Sequence, residues 1–160
     1  VGISDAVLLK AGRLTDEEFA EMRRHPVISS YIVGELELPA IVKQMARSHH
    51  ERYDGGGYPD GLRAEEIPLA ARILTVADSL DAMTSDRPYR RAMPLVTALE
   101  EIVDKTGAQF CPQVVAALRA RLGRDATLGG QYDACAASVA GTDAGRTDVQ
   151  VGRSALQIVR

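Results

Sequence analysis

Tryptophan is absent, and the only aromatics besides histidine are five tyrosines and two phenylalanines in 160 residues. Proteins that hold single-stranded nucleic acid stack its bases on aromatic rings, so that class is not expected. An excess of positive charge is absent too. Nineteen Lys and Arg face 22 Asp and Glu, a formal net charge of −3, and no overall basic footprint for DNA is present. No apolar run approaches the roughly 20 residues that cross a bilayer, and no secretory leader pattern opens the chain. A cytoplasmic protein without a membrane segment is the expectation. Only Cys111 and Cys135 are available, with no C-x-x-C spacing, which excludes a disulfide framework or a zinc ribbon and fits a reducing compartment. There is no G-x-S-x-G nucleophile elbow and no G-x-x-x-x-G-K-[ST] phosphate loop. An initiator methionine is also lacking: V-G-I-S-D fits a fragment or a valine-read start codon, and either allows sequence upstream.

What is there reads as helix after helix. In LTDEEFAEMRRH, Thr15 and Glu18 have the spacing of a capping box. Pro26 suits the first turn of a helix over VISSYIVGEL. Prolines 39, 68 and 94 precede AIVKQMARSHHER, LAARILTVADSLDAMTS and LVTALEEIVDKT, and Pro112 precedes QVVAALRARL. Ile41, Val42, Met45 and Ala46 form an apolar stripe. Gly107 stands where positive φ is tolerated, and Gly123 ends the last helix. Beyond it the composition turns to Gly, Ala, Thr and Asp without periodicity. The expected organisation is an all-α domain over 1–123 and a linker or irregular tail over 124–160.

Three groups of residues carry chemistry. His49 and His50 are neighbours at a helix end, about 100° apart in direction. Such a pair suits two ions a few ångströms apart better than one, although a bare histidine pair is also common on a frayed surface. Asp78 and Asp81 lie one turn apart on one face of the most apolar helix. They suit a metal ligand and an acid/base partner, or a solvent face. His25, before Pro26, can cap the preceding helix by donating to its last carbonyls, or act as a ligand. Arg87, Arg90 and Arg91 sit on a proline-braced loop after the aspartates. There they can fork onto phosphate or simply be solvated.

In order, HHERYDGGGYP, IPLAARILTVAD and DRPYR resemble the signature half of an HD-GYP domain, a branch of the HD metal-dependent phosphohydrolases. The resemblance runs from Val1 to about Leu122. It implies an HD-domain-like helical bundle that hydrolyses cyclic di-GMP in bacterial signalling. It also implies two or three divalent metals, iron or manganese most often. By the same resemblance His25, His49, His50 and Asp78 match metal ligands, and Asp81 matches a catalytic position beside the metals. Gly57, Tyr58, Pro59, Arg87 and Arg90 match substrate-contacting positions. GYP loops of the family are associated with GGDEF-type cyclase domains, which makes such proteins, and a second copy of the chain, expected partners.

This sequence departs from the family in two ways. The namesake His-Asp pair and the lysine that follows it are not among these residues, and all three histidines present are already assigned. The resemblance places that pattern before Val1, so the chain is expected to hold part of a site. The apolar face left uncovered would include Phe19, Ile28, Ile41 and the stripe over 73–83. Second, Cys111 stands where the family usually has aspartate, a position expected to be structural. The functional expectation is a cyclic di-GMP phosphodiesterase. The alternatives are an incomplete module that binds a nucleotide or a GGDEF domain, and an HD phosphohydrolase for another nucleotide.

Overall fold

A computed structural model describes residues 2–10, 12–86 and 91–124. Among them the chain forms helices and no strands: α1 (Asp5–Leu8), α2 (Asp16–Met22), α3 (His25–Gly34), α4 (Ala40–Ser48), a 3-10 turn (Ala64–Glu66), α5 (Leu69–Thr84), α6 (Leu95–Asp104) and α7 (Pro112–Leu122). The all-α expectation holds. The predicted tail and Cys135 lie outside the described residues.

Proline and one capping box set most of the helix starts. Thr15 Oγ1 accepts from the Glu18 N–H at 3.3 Å, and Glu18 returns a bond to the Thr15 N–H at 2.7 Å. Pro39, Pro68 and Pro94 stand at the N-caps of α4, α5 and α6, and Pro26 and Pro112 occupy the first turns of α3 and α7. These are places where a missing N–H costs no helical bond. Sequence patterning does not announce α1, which has only four residues.

The predicted third helix runs too far: α4 stops at Ser48, not Arg52. Its next rungs are taken by tertiary partners. The His49 carbonyl accepts from the Thr75 hydroxyl at 2.8 Å and the His50 carbonyl from the Tyr58 N–H at 3.2 Å. The Tyr53 and Asp54 N–H groups, which would have bonded those carbonyls, donate to Gln109 and Ala108 instead. Those four backbone groups all keep a partner in the exchange, which lowers the cost of ending the helix.

α3 packs on α4, α4 on α5, and α5 on α6 and α7. The core lies on the α5–α6–α7 side, where Val76, Met83, Ala98, Ile102, Phe110 and Val115 are buried together. Phe110 is 1% exposed, and a side chain of this kind contributes about 1.5–3 kcal/mol when buried. Gly107, at φ 83°, turns the chain out of α6 so that Phe110 enters this core.

The predicted exposed face is partly corrected. Ile41 and Ile73 are exposed, but Val76 and Met83 are core residues, and Phe19 and Ile28 are half-buried. Phe19 meets the Tyr58 ring edge-on at 6.1 Å. Cys111 is buried at the start of α7, and Arg72 Nη1 donates to its Sγ at 3.4 Å. That agrees with a structural role.

Candidate metal centre

Two helix junctions bring the histidines together. His25 opens α3 where α2 ends, and His49 and His50 follow α4. Each offers a ring nitrogen, and the three atoms all lie within 4.8 Å of one another. His25 Nδ1 bonds the Met22 carbonyl at 2.7 Å and His49 Nδ1 the Ala46 carbonyl at 3.0 Å. A carbonyl only accepts, so both Nδ1 atoms carry the proton and both Nε2 atoms keep a lone pair. This is how proteins orient imidazole ligands. His25 therefore caps α2, as one reading had it, and also joins the cluster.

His25 Nε2 and His50 Nε2 are 2.9 Å apart. That contact is a hydrogen bond, and since His25 Nε2 holds a lone pair, His50 Nε2 is its donor; a cation bound here would take the place of that proton. The three imidazoles are thus close enough together to share a cation. Burial, then the neighbouring His49 and His25, push the His50 pKa down to about 3. Burial, with His25 second, lowers that of His49. Neutral imidazoles with available lone pairs are what a divalent cation requires. His50 Nδ1 is buried without a hydrogen-bond partner.

The glycine loop supports this cluster from one side. Tyr58 is 3% exposed and its ring stacks on His50 at 5.0 Å and 21°. Its hydroxyl is buried without a partner, and burial pushes its pKa up to about 12. Gly57 passes so close to the preceding turn that a Cβ would meet Arg52 N at 2.3 Å, which only glycine avoids. The Tyr58–Pro59 peptide is cis, and Pro59 is half-buried.

Sequence reasoning missed Glu51. It is 1% exposed, and its carboxylate accepts from the N–H groups of Asp60 at 2.7 Å, Gly61 at 3.1 Å and Leu62 at 3.1 Å. Burial raises its pKa, and those N–H groups oppose the shift. Glu51 follows His50 directly, so it ties the return of the loop to the metal-binding turn. Arg47 forks onto Asp60 with two 2.7 Å bonds and reinforces the same tie. The only sequence signal was an acid placed directly after two histidines and before a glycine run.

The aspartates are less enclosed. Asp78 is exposed and is not one of the three clustered groups, although its charge is felt by His49 and by Tyr58. It faces the site from α5 without closing on it. Of the two readings of this helix face, its exposure agrees with the solvent face. Asp81, also exposed, accepts from the Ser85 hydroxyl at 3.2 Å. Arg87 and Arg90 lie outside the described residues; before and after them, the Ala92 N–H donates to Asp86 at 2.8 Å and the Met93 N–H to the Met83 carbonyl at 2.8 Å.

Comparison with known proteins agrees with this geometry. The HD domain family profile matches residues 5–114. A cyclic di-GMP phosphodiesterase of Thermotoga maritima is 45% identical over 119 residues, covering 73% of this chain and 32% of that protein. The cyclic di-GMP phosphodiesterase response regulator RpfG of Xanthomonas campestris is 45% identical over 123 residues, with 74% and 32% covered. A 3'3'-cGAMP-specific phosphodiesterase of Vibrio cholerae is 38% identical over 122 residues, with 76% and 26% covered. The chain thus spans about a third or less of these relatives' length. A crystal structure of a cyclic GMP-AMP specific phosphodiesterase from V. cholerae superposes with a TM-score of 0.53 at 20% identity, over 84% of this chain and 35% of that one; what it shares is the fold. Profile, relatives and a histidine cluster backed by a G-Y-P loop agree: the chain belongs to the HD-domain family, in its HD-GYP branch.

Proposed function

We propose that this chain is part of a phosphodiesterase domain that opens cyclic di-GMP to the linear dinucleotide. The observation that carries the reading is the three-imidazole cluster, with His25 and His49 oriented by carbonyls and His50 backed by Tyr58. The names of the relatives support the substrate class. A divalent metal, iron or manganese, supplies Lewis-acid stabilisation of phosphate charge and an activated nucleophile. His25, His49 and His50 would hold it, with Asp78 as a further ligand. Asp81 exchanges a proton with the reacting oxygen or the leaving group. Arg87 and Arg90 neutralise phosphate oxygens, while Gly57, Tyr58 and Pro59 form the wall against which the nucleotide lies. The complete domain uses two or three metals. The described residues contribute three imidazoles to that set. In the same reading residues 1–123 form the HD-GYP unit and 124–160 a linker or tail. The protein works in the cytoplasm, and the G-Y-P loop meets GGDEF domains or a second copy. Among the described residues no helix is long and apolar enough to cross a membrane.

The test is incubation of the protein with cyclic di-GMP in water enriched in heavy oxygen, with manganese or iron supplied anaerobically. Linear dinucleotide carrying one labelled phosphate oxygen, formed only with metal, is the expected product. Failure to bind or convert any cyclic dinucleotide in the metal-loaded state would refute the reading.

A further inference from the structure

Arg23 ends α2, two residues before His25, and is exposed. Its guanidinium carbon lies 6.0 Å from the Phe19 ring centroid and 5.1 Å from that of Tyr58. Phe19 is one helical turn back on the same face, the spacing at which side chains meet. Among the described residues the Arg23 side chain makes no hydrogen bond or ion pair. Arg47 and Arg52, by contrast, each fork onto an aspartate. An arginine held against aromatic rings keeps its N–H edge free, and that edge matches two oxygens of a phosphate. Its place near the site follows from Tyr58, whose ring also stacks on His50 at 5.0 Å.

A cyclic dinucleotide carries two phosphodiesters. With one of them at the imidazoles, the other lies farther along the same surface and needs a cation of its own. We propose that Arg23 is a further substrate-contacting residue, whose guanidinium edge receives the phosphate that is not being cleaved. The proposal rests on the phosphodiesterase reading above, and it names a residue that neither the sequence motifs nor the histidine cluster picks out.

Isothermal titration of the manganese-loaded protein tests it, with cyclic di-GMP and inorganic pyrophosphate as probes. The proteins compared are the parent chain, Arg23→Ala and Arg23→Lys. Loss of a charged hydrogen-bonding fork is expected to weaken both probes about ten- to a hundredfold in Arg23→Ala. Arg23→Lys, which keeps the charge but not the fork, is expected to recover part of that loss. The electron spin resonance of the bound manganese should be the same in all three, which separates lost ligand contact from a disturbed metal site. Equal affinities in the parent and Arg23→Ala overturn the proposal. So does a loss confined to cyclic di-GMP, which would make Arg23 a reader of the base. If the parent protein holds metal but binds no cyclic dinucleotide, the phosphodiesterase reading fails, and pyrophosphate still decides Arg23: an unchanged affinity in Arg23→Ala, or no binding at all, overturns it.

Discussion

Three consecutive glycines, 55 to 57, should differ sharply in what alanine does to them. At Gly57 an added Cβ would lie 2.3 Å from Arg52 N, 2.5 Å from Glu51 Cα and 2.7 Å from the Glu51 carbonyl carbon. Carbon contacts sit near 3.5–4.0 Å, so the loop must retreat by about 1 Å from backbone that has no freedom to yield. That retreat would stretch the 3.2 Å bond from the Tyr58 N–H to the His50 carbonyl and lift Tyr58 off the imidazole. Overpacking against backbone, with a lost bond, should cost about 3 kcal/mol or more. Gly55 has φ 84° and its nearest added contact would be Arg63 Cβ at 3.4 Å. Alanine there meets only the left-handed backbone cost, about 1–2 kcal/mol. At Gly56 the neighbours are Asp54 Oδ1 at 3.2 Å and Arg52 Nε at 3.4 Å, both at the mobile ends of side chains. The change there should stay within about 0.5 kcal/mol. Urea unfolding of the three metal-free variants, fitted with a common slope, measures the order. A Gly57→Ala protein as stable as Gly56→Ala would refute the close approach on which the support of His50 depends.

Two further outcomes follow from the same turn. Glu51→Gln replaces one accepting oxygen with a donor, against three backbone N–H groups. It should destabilise the loop by about 1.5–3 kcal/mol, seen as at least tenfold faster hydrogen exchange at Asp60, Gly61 or Leu62; unchanged exchange would contradict the tie. The metal-free protein should also be acid-labile. The folded His50 pKa of about 3 lies below the usual value near 6.5, so the unfolded chain binds the proton first. Stability present above pH 6.5 is lost as pH falls towards 3. Between pH 7 and pH 5 this one group removes about 2 kcal/mol, and a flat urea midpoint over that range would contradict it.

Much of the fold was legible because its punctuation is local. Proline at a cap and a Thr-x-x-Glu box act within one turn, and the helices begin where those signals put them. The end of α4 was not legible. Its last carbonyls are claimed by Thr75 and Tyr58, partners 26 and 8 residues away in the chain, and no local propensity encodes that exchange. The site divides in the same way. The histidines and Tyr58 were readable from the ordered motifs, and they do assemble. Glu51 was not singled out, because a buried acid satisfied by loop N–H groups looks like any surface glutamate in one dimension. Asp78 sits in an apolar helix whose pattern allowed a ligand or a solvent face, and α5 turns that carboxylate outward because its buried face is spent on Val76, Ser79 and Met83. Arg23 carries no motif at all, and only the rings around it mark it out.

Metal content is the most direct test of the central claim that His25, His49 and His50 form a metal centre. The protein would be purified anaerobically with iron and manganese supplied, alongside single His→Ala variants of all three positions and a triple variant, and each analysed by mass spectrometry. At least one ion retained per chain through gel filtration, and lost when any one of the three imidazoles is removed, is the predicted result. No retained ion in the parent protein, or retention that survives the triple replacement, would contradict the account.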